Sequence, residues 1–153
     1  MKILIESLSN DTLLYRGVGF NNNKSNENYY GGIFFAVDED DAYNFGDEIH
    51  TYKLLDASNI FTGESSQEYC EENNLMDIEN PIVYKLSGYK TLNDAIEELL
   101  YCGKNPNLYY AIQQYIAKEH LSKSGFQGAE WLYEDDLVPH QVQIWDTSIV
   151  KEV

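Results

Sequence analysis

Positive charge is scarce in this chain. Ten Lys and Arg stand against 26 Asp and Glu in 153 residues, for a formal net charge of −16. Binding to a phosphate backbone relies on cationic side chains that displace counterions, so direct contact with DNA or RNA is not expected. The same balance permits solubility, steering toward a basic protein surface, or mimicry of a nucleic acid. Cysteine is scarce as well. Cys70 and Cys102 make neither a disulfide framework nor a zinc pattern. Both fall in predicted helical stretches and read as packed thiols, and no metal site is expected. No apolar run approaches the roughly 20 residues of a membrane span. The strand-like run over residues 1–6 is too short for a signal peptide. With no repeat and no low-complexity linker, these exclusions leave one soluble, cytoplasmic domain. Its 43% hydrophobic and 14% aromatic content suffices for a single core.

The most informative stretch is residues 32–46, Gly-Ile-Phe-Phe-Ala-Val-Asp-Glu-Asp-Asp-Ala-Tyr-Asn-Phe-Gly. Ile33 to Ala36 form a short apolar run, which predicts a strand covered on both faces. Asp38 is placed to cap a helix immediately after it. Acidic residues crowd its first turn, where the dipole favours them, and Gly46 is expected to close it in a left-handed conformation. Elsewhere the pattern predicts strands over residues 2–8, 12–16, 48–55 and 59–61, with a polar loop over 20–28. Helices are expected over 65–74, 92–101 and 108–123. The last has Leu108, Ala111, Ile112, Tyr115, Ile116 and Leu121 along one face. His120 in its final turn suits the negative end of the dipole. A final hairpin runs from residue 125 through Glu134-Asp135-Asp136 to a returning strand at 140–146.

Read together with Leu13-Leu14-Tyr15-Arg16-Gly17, the stretch resembles the NAD-binding half of the ADP-ribosyltransferase superfamily. In that family a strand ending in aromatic-His/Arg-Gly precedes Gly-Ile-Tyr-Phe-Ala and a helix containing Ala-x-Asn-Tyr. Gly32-Ile33-Phe34-Phe35-Ala36 and Ala42-Tyr43-Asn44-Phe45 are similar to the poly(ADP-ribose) polymerase branch, whereas Arg16 resembles the arginine-containing toxin branch. The segment Gly125-Phe126-Gln127-Gly128, and Trp145-Asp146 with Ile149-Val150 beyond it, resemble the C-terminal hairpin of bacterial and phage members. The resemblance implies an α+β ADP-ribosyltransferase fold: two small packed β-sheets around an NAD cleft, with flanking helices. Residues 1–153 then form one domain, and residues 63–124 are a helical elaboration within it.

The resemblance also implies roles. Gly17 matches the glycine whose backbone holds the nicotinamide carboxamide, and a residue without a side chain allows that close approach. Arg16 matches the first-motif His/Arg that meets ribose or phosphate oxygens. Phe34 and Phe45 match two tyrosines whose rings sandwich nicotinamide. Tyr15, Phe35, Ala36 and Asn44 complete the cofactor-binding motifs. Cleaving the nicotinamide–ribose bond develops positive charge on the ribose, as in glycoside hydrolysis, and a carboxylate stabilises it or serves as base to the acceptor. The family's catalytic Glu stands five residues before the aspartate matched by Asp146, and that position here is Gln141. A glutamine keeps a hydrogen bond to a ribose hydroxyl but carries no charge. The carboxylate must then come from Glu130 on the preceding strand, or from Glu134, Asp135 or Asp136 in the turn. Phage anti-CRISPR ADP-ribosyltransferases are similar in placing an acid on this hairpin, and in their Phe-Phe-Ala strand and long helical insert. The activity implied is mono-ADP-ribosyl transfer from NAD to a host defence protein with a basic surface, in the host cytoplasm. The alternatives are an acidic binding or inhibitor protein on the same fold, and an NAD glycohydrolase.

Overall fold

The structure is a computed structural model and describes residues 8–19, 31–132 and 141–153. Nearly all of the expected first strand, the loop over 20–28, and Glu134, Asp135 and Asp136 lie outside the described residues.

Among the described residues, seven strands form one mixed sheet within an α+β fold: β1 (Leu13–Val18), β2 (Ile33–Ala36), β3 (Glu48–Leu54), β4 (Ile60–Phe61), β5 (Gly128–Trp131), β6 (Gln141–Ile144) and β7 (Val150–Glu152). Their order is β4-β5-β6-β2-β1-β3-β7. The expectation of two separate sheets is thus corrected. β2 pairs with β6 through four residues, and β1 pairs with β3 through six. Between these halves, β1 meets β2 at a single register pair, Tyr15 opposite Ala36. The halves are joined by one core cluster in which Leu14 and Leu54 meet Phe35, Val142 and Ile144. Burial of that apolar surface holds together what the ladder barely connects.

Five helices accompany the sheet among these residues: α1 (Glu39–Ala42), α2 (Ser66–Glu72), α3 (Pro81–Ser87), α4 (Leu92–Ile96) and α5 (Pro106–Ser122), with a π-helical turn at Glu97–Tyr101. Each begins at a polar side chain that accepts a backbone N–H: Asp38, Ser65, Asn80, Thr91 and Asn105. Asn80-Pro81 announces α3, a helix missing from the sequence expectation, because proline suits the first helical position. β4 and β5 run parallel, so the segment between them is a crossover that carries α2 to α5. These helices pack against Ala129 and Trp131 of β5. Among the described residues no helix is long and apolar enough to cross a membrane.

Three local expectations are corrected. The first helix ends at Ala42, and residues 43–45 form a turn. Gly46 is not left-handed; it is small because a Cβ there would collide with the carbonyl oxygen of Val18. Cys70 is buried, and burial pushes its thiol up to about 12, but Cys102 is exposed rather than packed.

The end of α1 lies on Gly17, where a Cβ would collide with the carbonyl oxygen of Ala42. Neither backbone can yield without moving a sheet strand or α1. Gly17→Ala is expected to lower stability by about 1–3 kcal/mol, the cost of overpacking a well-filled site. Urea unfolding monitored by circular dichroism measures it, and a change below about 0.5 kcal/mol, typical of a surface substitution, would contradict the packing role.

Candidate functional site

The motif-bearing segments lie far apart in the chain and side by side in the sheet. β5, β6, β2 and β1 are consecutive neighbours, and α1 packs on β1 and β2. The centre of this arrangement is the β1–β2 seam. Continued from Tyr15–Ala36, the register sets Arg16 opposite Phe35 and Gly17 opposite Phe34, beyond the paired position.

Strand alternation divides the candidate residues between the two faces. Leu14, Arg16 and Phe35 share the face that carries Tyr52, whose ring meets Phe35 edge-on at 4.9 Å between centroids. Arg16 is half-buried, and burial lowers its pKa while the facing Tyr52 opposes that shift. Tyr52 in turn is raised, first by burial and then by Glu152. His50 stands between Glu48 and Glu152, 3.3 Å from each. A half-buried guanidinium, a phenol and an imidazole between two acids thus line the β1–β3–β7 end of this face, a group the motif reading did not single out. Its only sequence signal is the alternation of His50, Tyr52 and Leu54 along one strand.

Glu130 is on the same face. It pairs with Val142, and Val142 pairs with Phe35, so Glu130 and Arg16 stand three strand spacings apart, about 14 Å. Glu130 is only 2% exposed. It borders a cavity of about 90 Å³ with Leu8, Ala57, Ile60 and Thr62. Its Oε2 has no hydrogen-bond partner among the described residues. Burial raises its pKa, against a smaller opposing effect of a backbone hydrogen bond from Leu8. The arrangement can hold a proton that an exposed glutamate would release.

The opposite face carries Tyr15, Gly17, Phe34 and Ala36 with α1. Phe34 is half-buried, while Asn44 and Phe45 are exposed on the turn after α1. Gln141 pairs with Trp131 on this side, and its Oε1 accepts from Gln114 Nε2 at 2.8 Å. Phe34, Gly17, Asn44 and Phe45 are therefore brought to one side of the seam, and Arg16 and Glu130 to the other. Gln141 and Glu130 are on opposite faces. Two physical readings change. The space a side chain would take at Gly17 is filled by the protein's own Ala42 carbonyl, and Phe35 is a core residue at 2% exposure.

The motif reading also missed buried amides. Gln143 accepts from Trp131 Nε1 at 2.9 Å and donates to the Gly31 and Gln114 carbonyls. It ties β5, β6, α5 and the entry to β2 together.

No family model matches the chain, and no curated protein matches it. Among solved structures, the crystal structure of an anti-CRISPR protein is similar, with a TM-score of 0.44, 17% identity, and coverage of 95% of this chain and 97% of that one.

The raised pKa of Glu130 has a signed consequence for stability. Between the unfolded glutamate value, about 4.3, and the higher native one, the native state keeps a proton that the unfolded state has lost. Stability therefore falls as pH rises through that window and levels off above it. Glu130→Gln removes this fall. Urea midpoints measured from pH 4 to 8 should show wild type losing stability relative to the variant as pH increases. Parallel profiles would mean that the carboxyl titrates alike in both states.

Proposed function

We propose that the chain is a mono-ADP-ribosyltransferase that takes NAD as substrate and a protein as acceptor. The observation that carries this reading is the convergence at the seam: segments that resemble the first motif, the second motif and the C-terminal hairpin occupy four consecutive strands. α1 adds Asn44 and Phe45 at its end. In this reading Phe34 and Phe45 supply aromatic faces for nicotinamide by offset stacking, and Arg16 supplies charge-assisted hydrogen bonds to phosphate or ribose oxygens.

The reaction breaks the C–N bond between ribose C1′ and nicotinamide, which leaves as a neutral molecule. An acceptor heteroatom bonds to C1′ and gives its proton to a base. A carboxylate of the hairpin stabilises the positive charge on the ribose. Glu134 and Glu130 are the candidates, Glu130 from the sheet face opposite Phe34, and Gln141 contributes only hydrogen bonding. A proton retained by Glu130 at low pH would cancel its stabilising charge, so a role for Glu130 requires activity that rises with pH. The net charge of −16 favours a protein acceptor with a basic surface, such as a host defence protein met by a phage effector. Water in place of the acceptor gives NAD hydrolysis.

The second reading is acidic binding without catalysis. The neutral Gln141 at the usual carboxylate position favours it.

Incubation with labelled NAD, with and without bacterial lysate, separates these readings. A transferase yields a labelled protein band and free nicotinamide, and Arg16→Ala should reduce both at least tenfold. Of Glu130→Gln and Glu134→Gln, the one that removes the charge-stabilising carboxylate should cost on the order of 10²-fold or more, which assigns the role. Folded protein that releases neither label nor nicotinamide would end the transferase reading. Lysate binding that survives Arg16→Ala and weakens steeply with salt would establish the acidic binder.

A further inference from the structure

A well-formed cavity stands away from the seam. It is a groove of about 490 Å³ in the helical layer, between α2, α4 and the π-helical turn. Its volume is within the range of specific ligand sites. Two carboxylates, Glu71 and Asp77, line it, and no Lys or Arg is among its described lining residues. A dinucleotide's pyrophosphate would be repelled there, so the groove is no second NAD site.

Each acid accepts a side-chain hydrogen bond at the surface. Gln67 Nε2 donates to Glu71 Oε1, and Asn93 Nδ2 donates to Asp77 Oδ1. Gln67 is held from behind. Gln113 Nε2 donates to its Oε1, and Ser66 Oγ donates to Gln113 Oε1 at 2.6 Å. Ser66 and Gln113 are fully buried between α2 and α5. An apolar pair would pack those helices without the desolvation cost of two buried polar side chains. What the polar pair adds is a fixed orientation for Gln67, and through it for Glu71. A satisfied buried network is rigid, and a binding group already in position loses less entropy on binding. Met76 and Ile96 give the groove an apolar floor. Tyr101 offers a ring at 67% exposure, projected by the π-helical turn; such turns concentrate at functional sites.

We propose that this groove is a docking site for an arginine-bearing segment of a protein partner. A guanidinium is planar, has five donors, stacks on aromatic faces and keeps its charge when partly desolvated. Two fixed carboxylates, an apolar floor and an exposed ring match those properties together, whereas a lysine ammonium would use only the charge. The overall charge of −16 steers a basic partner toward the molecule, and the groove supplies the local fit. The proposal does not depend on the transferase reading; it holds equally for an acidic binder.

The test is a titration of isotope-labelled protein with a hexa-arginine peptide at physiological salt, monitored by amide NMR. The expected shifts saturate and centre on Tyr101 and on the side-chain amides of Gln67 and Asn93. The double variant Glu71→Gln/Asp77→Asn should bind at least tenfold more weakly. Asp40→Asn/Asp41→Asn, which removes the same charge from α1, should change affinity no more than twofold. Equal weakening by the two pairs, or shifts spread evenly over the acidic surface, would overturn the site. Hexalysine binding as tightly as hexa-arginine would overturn the choice of arginine. The wild-type shift map stands even if the double variant unfolds, and neither readout involves NAD.

Discussion

Two backbone segments, β1 and the turn after α1, meet with no side chain between them. Gly17 admits the Ala42 carbonyl, and Gly46 admits the Val18 carbonyl. A glycine in an ordered segment costs roughly 0.5–1 kcal/mol in lost conformational freedom. That cost is offset by complete burial of Ala42 and by the seat it gives α1. Because α1 is clamped there, Tyr43, Asn44 and Phe45 face outward at the side of the seam that carries Phe34. The character of the candidate site depends on this approach, including which aromatic rings reach solvent.

The clamp acts beside the weakest junction of the sheet. One register pair links β1 to β2, while the strands on either side are fully laddered. Cohesion across the seam therefore rests on side-chain burial by Leu14, Phe35, Leu54, Val142 and Ile144. Full burial of one such side chain is worth about 1.5–3 kcal/mol, more than the net value of a ladder hydrogen bond, about 1 kcal/mol. A sheet joined this way stays in one piece although its ladder is thinnest at the seam.

Buried polar groups divide into two kinds here. Gln143, Gln113 and Ser66 are engaged in hydrogen bonds that cross between elements, so they define how strands and helices sit relative to one another. Glu130 differs, with an oxygen that has no partner among the described residues. Burying a carboxyl in that state costs free energy. The Ser66–Gln113–Gln67 chain carries order outward from the core to the rim of the acidic groove, away from the seam. The exposed aromatic residues at the sheet and the acidic groove on the helices are thus separate in the structure.

Local interactions were legible in the sequence. The short apolar run at Ile33–Ala36, the capping side chains Asp38 and Ser65, and the β3 strand are written within a few neighbouring residues, and the structure places them within a residue or two of expectation. α5 shows the limit. Its periodicity located the helix, but Leu108, Ala111 and Tyr115 are only partly covered, while Gln113 and Gln114 are buried. Polarity reports what a side chain prefers, and a partner across the core decides whether an amide can be buried at acceptable cost. By itself the sequence determined the charge, most of the element types and the residues available for chemistry. Only the tertiary structure decided that one sheet replaces two, that Gly17 makes room for Ala42, and that Glu130 and Gln141 look in opposite directions. Strand pairing, close backbone approach and desolvation all depend on segments distant in the chain, and no local pattern encodes which of them meet.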